Sequence, residues 1–446
     1  MSLEALGVLN KPGHANFCMR CLYGLPSNMS DADAGRVGVG FYCLGALDII
    51  GLLEGKSKAT DRESWREWIW EQQISRIRLK ARSSSSSSSA AERRTHKDSS
   101  NVDIDGVDDV GDDDSEQRIG GFRPGPFVQT SSEKSNATSI IIDSVDPDPP
   151  HLIMTYTALI TLAILRDDFS RLDRRGLVAL LRATQKEDGS FTAIPGQGEA
   201  DIRMVYTAFV ISSLLDDWRG VNIPRALDFV RKCMTYEGGF GQAPGNEAQG
   251  GPTYCALATL ALAPPSFSTI AELSPLERRQ AIRWLIHQQS EEEGGFSGRT
   301  EKNADACYSF WCGAALKILG VDEFVERRRH ALFLDSCQFA VSGSGKGKER
   351  RLLGGIGKAG DAHPDPYHTY LALASLAIYS PVSGAHAREV EVEGVEETGE
   401  VDASWGLPRL DALINATEET ARWARAHISG NMELLEIDED KQDEMR

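Results

Sequence analysis

A glycine-centred turn followed by an apolar helix recurs along this chain, and such a recurrence restricts the fold more than any single motif does. Asp188-Gly-Ser-Phe191, Gly238-Gly-Phe240, Gly294-Gly-Phe296 and Gly354-Gly-Ile356 stand roughly fifty to sixty residues apart, a period that marks stacked supersecondary units. Each is followed, after a polar loop, by a stretch opening on an aromatic or hydroxyl residue: Val205-Tyr-Thr-Ala-Phe-Val, Thr253-Tyr-Cys-Ala-Leu-Ala, Cys307-Tyr-Ser-Phe-Trp-Cys and Thr369-Tyr-Leu-Ala-Leu-Ala. Thr155-Tyr-Thr-Ala-Leu-Ile pairs with Gly121-Phe122 across a long interruption, and Gly40-Phe-Tyr-Cys-Leu-Gly supplies a first member. Between these lie amphipathic stretches, such as residues 224–234 and 274–289. Near-continuous apolar helices predict an inner ring buried on both sides, and one-sided helices an outer ring with a wet face. The expected fold is therefore all-α, six helical hairpins closed into an α/α toroid with disordered insertions. The loops before the inner helices then all open at one end, so their polar residues converge on the mouth of a central cavity. An open helical scaffold would show the same period, so the fold alone does not decide function.

Composition shifts divide the chain further. Residues 1–82 read as the first helices of the toroid, helical over about 12–53 with a tryptophan-rich amphipathic piece at 65–77. Residues 83–150 hold a serine run, a basic cluster and an acidic run, with too few large apolar residues to offset ordering entropy. They read as a mostly disordered insertion with one anchored island, Gly120-Gly121-Phe122. Residues 151–379 carry the repeats, 380–404 a second polar insertion, 405–430 a final helix at about 407–427, and 431–446 an acidic tail. A net charge of −18 argues against a nucleic-acid grip. No apolar run is long enough to span a membrane, and the first residues lack the basic and apolar parts of a signal peptide, so a cytoplasmic location is expected. The eight cysteines are scattered, several within apolar helices, and read as reduced core thiols.

Chemistry concentrates between Gly294 and Leu319. Asp305 and Cys307 open an inner helix two residues apart, where side chains can still turn to one point and the helix dipole favours carboxylate and thiolate. A lone Asp-x-Cys is commonly an N-cap and a core thiol. The repeat, however, places His368, at the start of the next inner helix, in the matching position. Asp, Cys and His with an open fourth position make a catalytic zinc site, since structural sites are closed by four protein ligands. Arg299 and Lys302 precede the site by one loop and Tyr308 adds a hydroxyl, a set suited to a diphosphate at a helix N-terminus. Aromatics behind them, Tyr206, Tyr254, Trp311 and Tyr370, suit a long hydrocarbon, although such residues are more often plain core.

The run Gly298-Arg-Thr-Glu-Lys-Asn-Ala-Asp-Ala-Cys-Tyr-Ser-Phe-Trp311, with Tyr367-His368-Thr-Tyr and Gly-Gly-Pro-Thr-Tyr254-Cys, resembles the β subunits of the protein prenyltransferases over residues 14–376, insertions apart. The resemblance implies a toroid bound to a helical-repeat prenyltransferase α subunit as a heterodimer, attaching an isoprenoid to a cysteine near a target's C-terminus. It makes Asp305, Cys307 and His368 ligands of one zinc ion. It makes Arg299, Lys302 and Tyr308 the diphosphate grip, and has Arg203, Tyr206 and Trp311 line the lipid.

Single positions resemble the type I geranylgeranyl branch, which implies geranylgeranyl diphosphate as donor and CaaX proteins, such as Rho-type small GTPases, as acceptors. Lys358 falls where the farnesyl enzyme has an Asp that holds magnesium; a lysine supplies positive charge itself, so magnesium is expected to be dispensable. Gly38 and Leu371 match positions where the farnesyl enzyme has bulky aromatics, leaving room for another isoprene unit. Gln249 stands where the family usually has a histidine on the diphosphate. A glutamine donates a hydrogen bond but carries no charge, so a weaker grip, or another cation offsetting it, is expected. The alternatives are a farnesyl-type C15 enzyme, an isoprenoid cyclase, which would want an acidic cluster in the cavity, and a non-catalytic scaffold, which would bind no stoichiometric metal.

Overall fold

The computed structural model describes residues 6–25, 32, 34–79, 116–125, 149–342, 350–380 and 405–430. Shorter helical turns aside, its helices in chain order are α1 Lys11–Tyr23, α2 Arg36–Ile49, α3 Ala59–Trp70, α4 Leu152–Ile164, α5 Arg174–Thr184, α6 Ile202–Leu215, α7 Ile223–Lys232, α8 Gly250–Leu262, α9 Pro275–Ile286, α10 Ala306–Ile318, α11 Arg327–Cys337, α12 Pro366–Ala377 and α13 Glu418–Ile428. Four two-stranded hairpins join them: β1 Gln73–Leu79 with β2 Glu116–Phe122, β3 Phe191–Ile194 with β4 Gln197–Asp201, β5 Gln338–Ser342 with β6 Arg350–Ile356, and β7 Leu410–Asp411 with β8 Ala416–Thr417.

The even-numbered helices touch in sequence, α2 to α4, α6, α8, α10 and α12, and α12 returns to touch α2. That closure makes a ring, where an open solenoid would leave two ends. These helices are apolar around most of their circumference: in α4 eleven side chains from Leu152 to Ile164 are buried. The outer helices are one-sided. In α7, Ala226, Leu227, Phe229 and Val230 face inward while Arg225, Asp228 and Arg231 do not.

The recurring glycines fix how inner and outer rings meet. Gly189, Gly238, Gly294 and Gly354 have φ of +92°, +107°, +81° and +98°. A Cβ there would lie 2.0 to 2.6 Å from the carbonyl oxygens of Arg225, Gln280, Arg329 and Gly13 on neighbouring helices. Only glycine satisfies both the left-handed backbone and the close approach. The aromatic that follows plugs the hairpin: Phe122, Phe191, Phe240 and Phe296 have no exposed surface. In three repeats the first threonine of the inner helix accepts the plug residue's N–H at 2.9 Å: Phe122 to Thr155, Phe240 to Thr253 and Ile356 to Thr369.

Two expectations need correction. The amphipathic piece at 65–77 is not a single element: a helix ends at Trp70, and Gln73–Leu79 pairs antiparallel with Glu116–Phe122. The anchored island is thus the second strand of a hairpin whose connection is the insertion. Nor does a helix run from 407; α13 starts at Glu418, and the preceding residues form the β7–β8 turn. That turn enters the ring. The hydroxyls of Tyr254, Tyr206, Tyr156 and Tyr370 lie 2.9, 3.0, 2.8 and 2.5 Å from the consecutive carbonyl oxygens of Ala412, Leu413, Ile414 and Asn415. Each tyrosine is the fifth residue of its helix, so one level of the ring is dedicated to holding this segment. The serine and acidic runs of the insertion, residues 381–404 and the 431–446 tail lie outside the described residues.

Candidate metal and anion site

Asp305 is the N-cap of α10; its carboxylate accepts the N–H of Cys307 at 3.0 Å, and Cys307 sits in the first turn. His368 occupies the first turn of the neighbouring inner helix α12, whose N-cap is Asp365. The two helix starts are side by side because α10 and α12 pack together, and the carbonyl of Lys358 accepts the N–H of Ala306 at 2.9 Å, tying the loop before α12 to the start of α10. The ligand atoms of Asp305, Cys307 and His368 all lie within 4.8 Å of one another, and theirs is the one such set of three among the described residues. The imidazole Nε2 is 3.3 Å from Asp305 Oδ1, and Nδ1 is 2.6 Å from Asp365 Oδ2.

The protonation pattern follows from this crowding. Burial pushes the Cys307 thiol up to about 11, with the Asp305 charge adding to it and the His368 contact opposing. Burial disfavours an imidazolium at His368, but hydrogen bonds to Asp305, Asp365 and Cys307 outweigh it and push the group up. For Asp305, burial would raise the carboxyl, yet His368 and the Cys307 N–H hold it below the usual range. Without an ion, a proton on His368 compensates the carboxylates. A divalent cation accomplishes the same with stronger bonds, and the oxygen, sulfur and nitrogen donors with a fourth position open fit zinc.

Beside the triad, a cavity of about 710 Å³ is lined by Arg299, Lys302, Lys358, Tyr308, Asp305 and Asp361 among others. Three cations, Arg299, Lys302 and Lys358, share this lining with three carboxylates, Glu301, Asp305 and Asp361, and the volume lies at the N-terminus of α10, where backbone N–H groups favour an anion. The Tyr308 ring packs directly against Gly298, where a Cβ would fall 2.0 Å from the phenol Cζ. Arg299 makes an ion pair at 3.1 Å with Glu247, a residue that carried no signal in the sequence. Gln249 is the N-cap of α8, with no side-chain capping bond, and the next N–H, of Gly250, bonds Gly298 at 2.9 Å. Asp361 and Asp365 were also missed; Asp365 was legible as an Asp three residues before His368, the N-cap spacing.

The expected lipid residues are placed differently from one another. Trp311 packs against Tyr254 and Phe310 and donates its indole N–H to the Tyr367 hydroxyl at 3.1 Å. Tyr206 is engaged with the β7–β8 turn as described. Arg203 is bound by the buried Asp201 carboxylate, with Arg203 Nη2 at 2.6 Å, and by Glu199. Gly38 is buried on α2, where a Cβ would stand 3.6 Å from Met154, and Leu371 has no exposed surface.

A closed ring of helical hairpins, with three candidate metal-ligating side chains and a cavity faced by Arg299, Lys302 and Lys358 beside them, is the architecture of an α/α toroid with a site at one end. Residues 9–415 match the family model described as "Prenyltransferase alpha-alpha toroid domain", and the chain belongs to that family. It is 29% identical over 374 residues to the geranylgeranyl transferase type-1 subunit beta of Dictyostelium discoideum, covering 83% of this chain and 90% of that one. It is 36% identical over 232 residues to the subunit of the same name from Arabidopsis thaliana, 51% of this chain and 58% of that one. The Candida albicans protein geranylgeranyltransferase-I complexed with GGPP has the same fold, with a TM-score of 0.67 at 22% identity over 95% of this chain and 100% of that one. No single helix among the described residues is long and apolar enough to cross a membrane.

Proposed function

We propose that this chain is the catalytic β subunit of a type I protein geranylgeranyltransferase, moving a C20 isoprenoid from geranylgeranyl diphosphate to the cysteine thiol of a C-terminal CaaX motif, X often Leu. What carries the reading is the meeting of the Asp305, Cys307 and His368 donor atoms within 4.8 Å, next to a cavity faced by Arg299, Lys302 and Lys358. Asp305, Cys307 and His368 would hold zinc, which when bound lowers the pKa of an incoming thiol and keeps it a thiolate at neutral pH. Asp365, by its contact with Nδ1, would hold His368 with Nε2 turned to the side of Asp305, available as a ligand. Arg299, Lys302 and Lys358 bind the diphosphate and stabilise the charge that builds on it as the carbon–oxygen bond breaks, and Tyr308 donates from its rigid seat on Gly298. Lys358 supplies charge that magnesium would otherwise bring. Gln249 contributes a neutral hydrogen bond. Trp311, Tyr206, Arg203, Gly38 and Leu371 bound the lipid, the last two by leaving room for its far end.

A prenyltransferase α subunit completes the enzyme in the cytoplasm, and small GTPases ending in CaaX are its acceptors. The decisive assay uses the chain co-expressed with an α subunit and a peptide ending Cys-aliphatic-aliphatic-Leu. Transfer from the C20 diphosphate exceeds transfer from the C15 diphosphate, persists without magnesium, and disappears together with bound zinc in Cys307→Ala. Preference for the C15 donor would replace this reading with the farnesyl one.

A further inference from the structure

We infer that Glu247 is the positioning residue for Arg299: it holds one side of the guanidinium from outside the anion cavity and so keeps the remaining N–H groups turned to a bound diphosphate. This deepens the reading of that cavity as a diphosphate site and rests on it. Arg299 Nη1 lies 3.1 Å from Glu247 Oε2. Arg299 lines the cavity and Glu247 does not. The carboxylate therefore occupies one nitrogen of a planar, five-donor fork, while Nε and Nη2 have no partner among the described residues.

Exposed ion pairs commonly contribute little, because both side chains lose freedom in forming them. Here the backbone on each side is fixed in advance. A Cβ on Gly241 would lie 2.5 Å from the carbonyl oxygen of Asn246, just before Glu247. Ala248, just after it, is buried, and its Cβ would be 2.9 Å from one on Gly239. The N–H of Gln249 donates to the Phe240 carbonyl at 3.0 Å. On the arginine's side, the Gly298 carbonyl accepts the N–H of Gly250 at 2.9 Å, and Ser297 pairs with Ala304 across the loop that carries Arg299 and Lys302. The ion pair thus spans two loops, leading into α8 and α10, that backbone already holds together. Tyr308 is caught in the same seam: its ring lies against Gly298, and a Cβ on Gly250 would be 3.0 Å from Cδ1.

Glu247 acts on a bound anion in two ways of opposite sign. Its charge repels a diphosphate. Its hold on Arg299 orders that side chain before the diphosphate arrives, so less freedom is lost on binding. The Glu247 side chain is 50% exposed and stands outside the cavity, so solvent screens the repulsion, and the ordering effect prevails. Donors held in place beforehand also need no rearrangement as charge builds on the leaving group.

The test titrates inorganic pyrophosphate into the full chain with its α subunit by isothermal calorimetry. Glu247→Ala should weaken binding about three- to fivefold, the upper end for an exposed pair. Glu247→Gln, whose amide oxygen still accepts from Nη1, should weaken it less. Loss of a negative charge would then weaken the binding of an anion, the reverse of what repulsion alone gives. In an Arg299→Ala background Glu247→Ala should have no further effect, whereas damage to the loop would persist there. Transfer kinetics should show the KM for the diphosphate donor raised and that for the peptide unchanged. Unchanged or tighter pyrophosphate binding in Glu247→Ala, or an equal loss in the Arg299→Ala background, would overturn the inference. No pyrophosphate binding by the unsubstituted protein would instead remove the diphosphate reading of the cavity, and this inference with it.

Discussion

The carboxylate of Asp365 holds His368 twice: one oxygen accepts the backbone N–H at 2.9 Å and the other lies 2.6 Å from ring Nδ1. A single side chain therefore starts helix α12 and turns the imidazole so that Nε2 faces Asp305 and Cys307. Metal-ligating histidines are commonly oriented in this way, and losing the partner weakens metal binding about 10- to 100-fold. Asp365→Asn keeps a capping oxygen but presents an amide to the ring, so zinc affinity, measured by chelator competition, should fall within that range while helix content stays unchanged. An unaltered affinity would assign Asp365 to capping alone.

Metal affinity should rise with pH. In the ion-free chain burial puts the Cys307 thiol at about 11, and His368 is pushed up by its carboxylate neighbours against the effect of burial. Both therefore carry protons at neutral pH, and an ion must displace them; each proton released strengthens binding about tenfold per pH unit. Between pH 6 and 8 the apparent dissociation constant should fall steeply, with about two protons released per ion when calorimetry is repeated in buffers of different ionisation enthalpy. A tenfold fall per pH unit would mean that one of the two groups is already deprotonated, and a pH-independent constant that both are.

Gly238 tests the turn on which the repeat depends. With φ of +107° and a would-be Cβ 2.4 Å from the Gln280 carbonyl oxygen, Gly238→Ala forces either backbone strain or separation of the helices. A loss of about 2 to 4 kcal/mol is expected in denaturant unfolding. Gly245 has φ of +83° with nothing within 4 Å of its would-be Cβ, so Gly245→Ala should cost only about 1 kcal/mol. Equal losses would remove the close-approach explanation.

Tyr370→Phe deletes a single hydroxyl. Its carbonyl partner on Asn415, 2.5 Å away, is left unpaired inside the protein, at a cost of about 1 to 3 kcal/mol. Faster amide hydrogen exchange confined to residues 410–417 and their immediate contacts should accompany it. Uniform acceleration across the ring would indicate a general packing defect.

The ring was legible because its two helix types differ in how much of their circumference is apolar, a difference written directly in the residues, and because each hairpin repeats one turn that only glycine can make. The meeting of Asp305, Cys307 and His368 was legible for the same reason: the repeat places the starts of α10 and α12 in register, so this candidate metal set could be brought together without knowing a distance. The β1–β2 pairing was not, since its strands are separated by the insertion and Gln73–Leu79 continues an amphipathic pattern without a clear stop. Residues 407–417 were read as helix because nothing local announces that their carbonyls are claimed by four distant tyrosines. Glu247 is one more exposed carboxylate until the fold brings Arg299 beside it.

That α12 packs on α2 has a bearing on how the protein is made. More than three hundred residues separate these neighbours along the chain, so on the ribosome the early hairpins form an arc with a bare apolar flank, sealed only when the last inner helix emerges. A stop codon after α10 would leave two such flanks at once. Late truncations should consequently be as damaging as early ones, and the half-built arc is the species on which a chaperone would act.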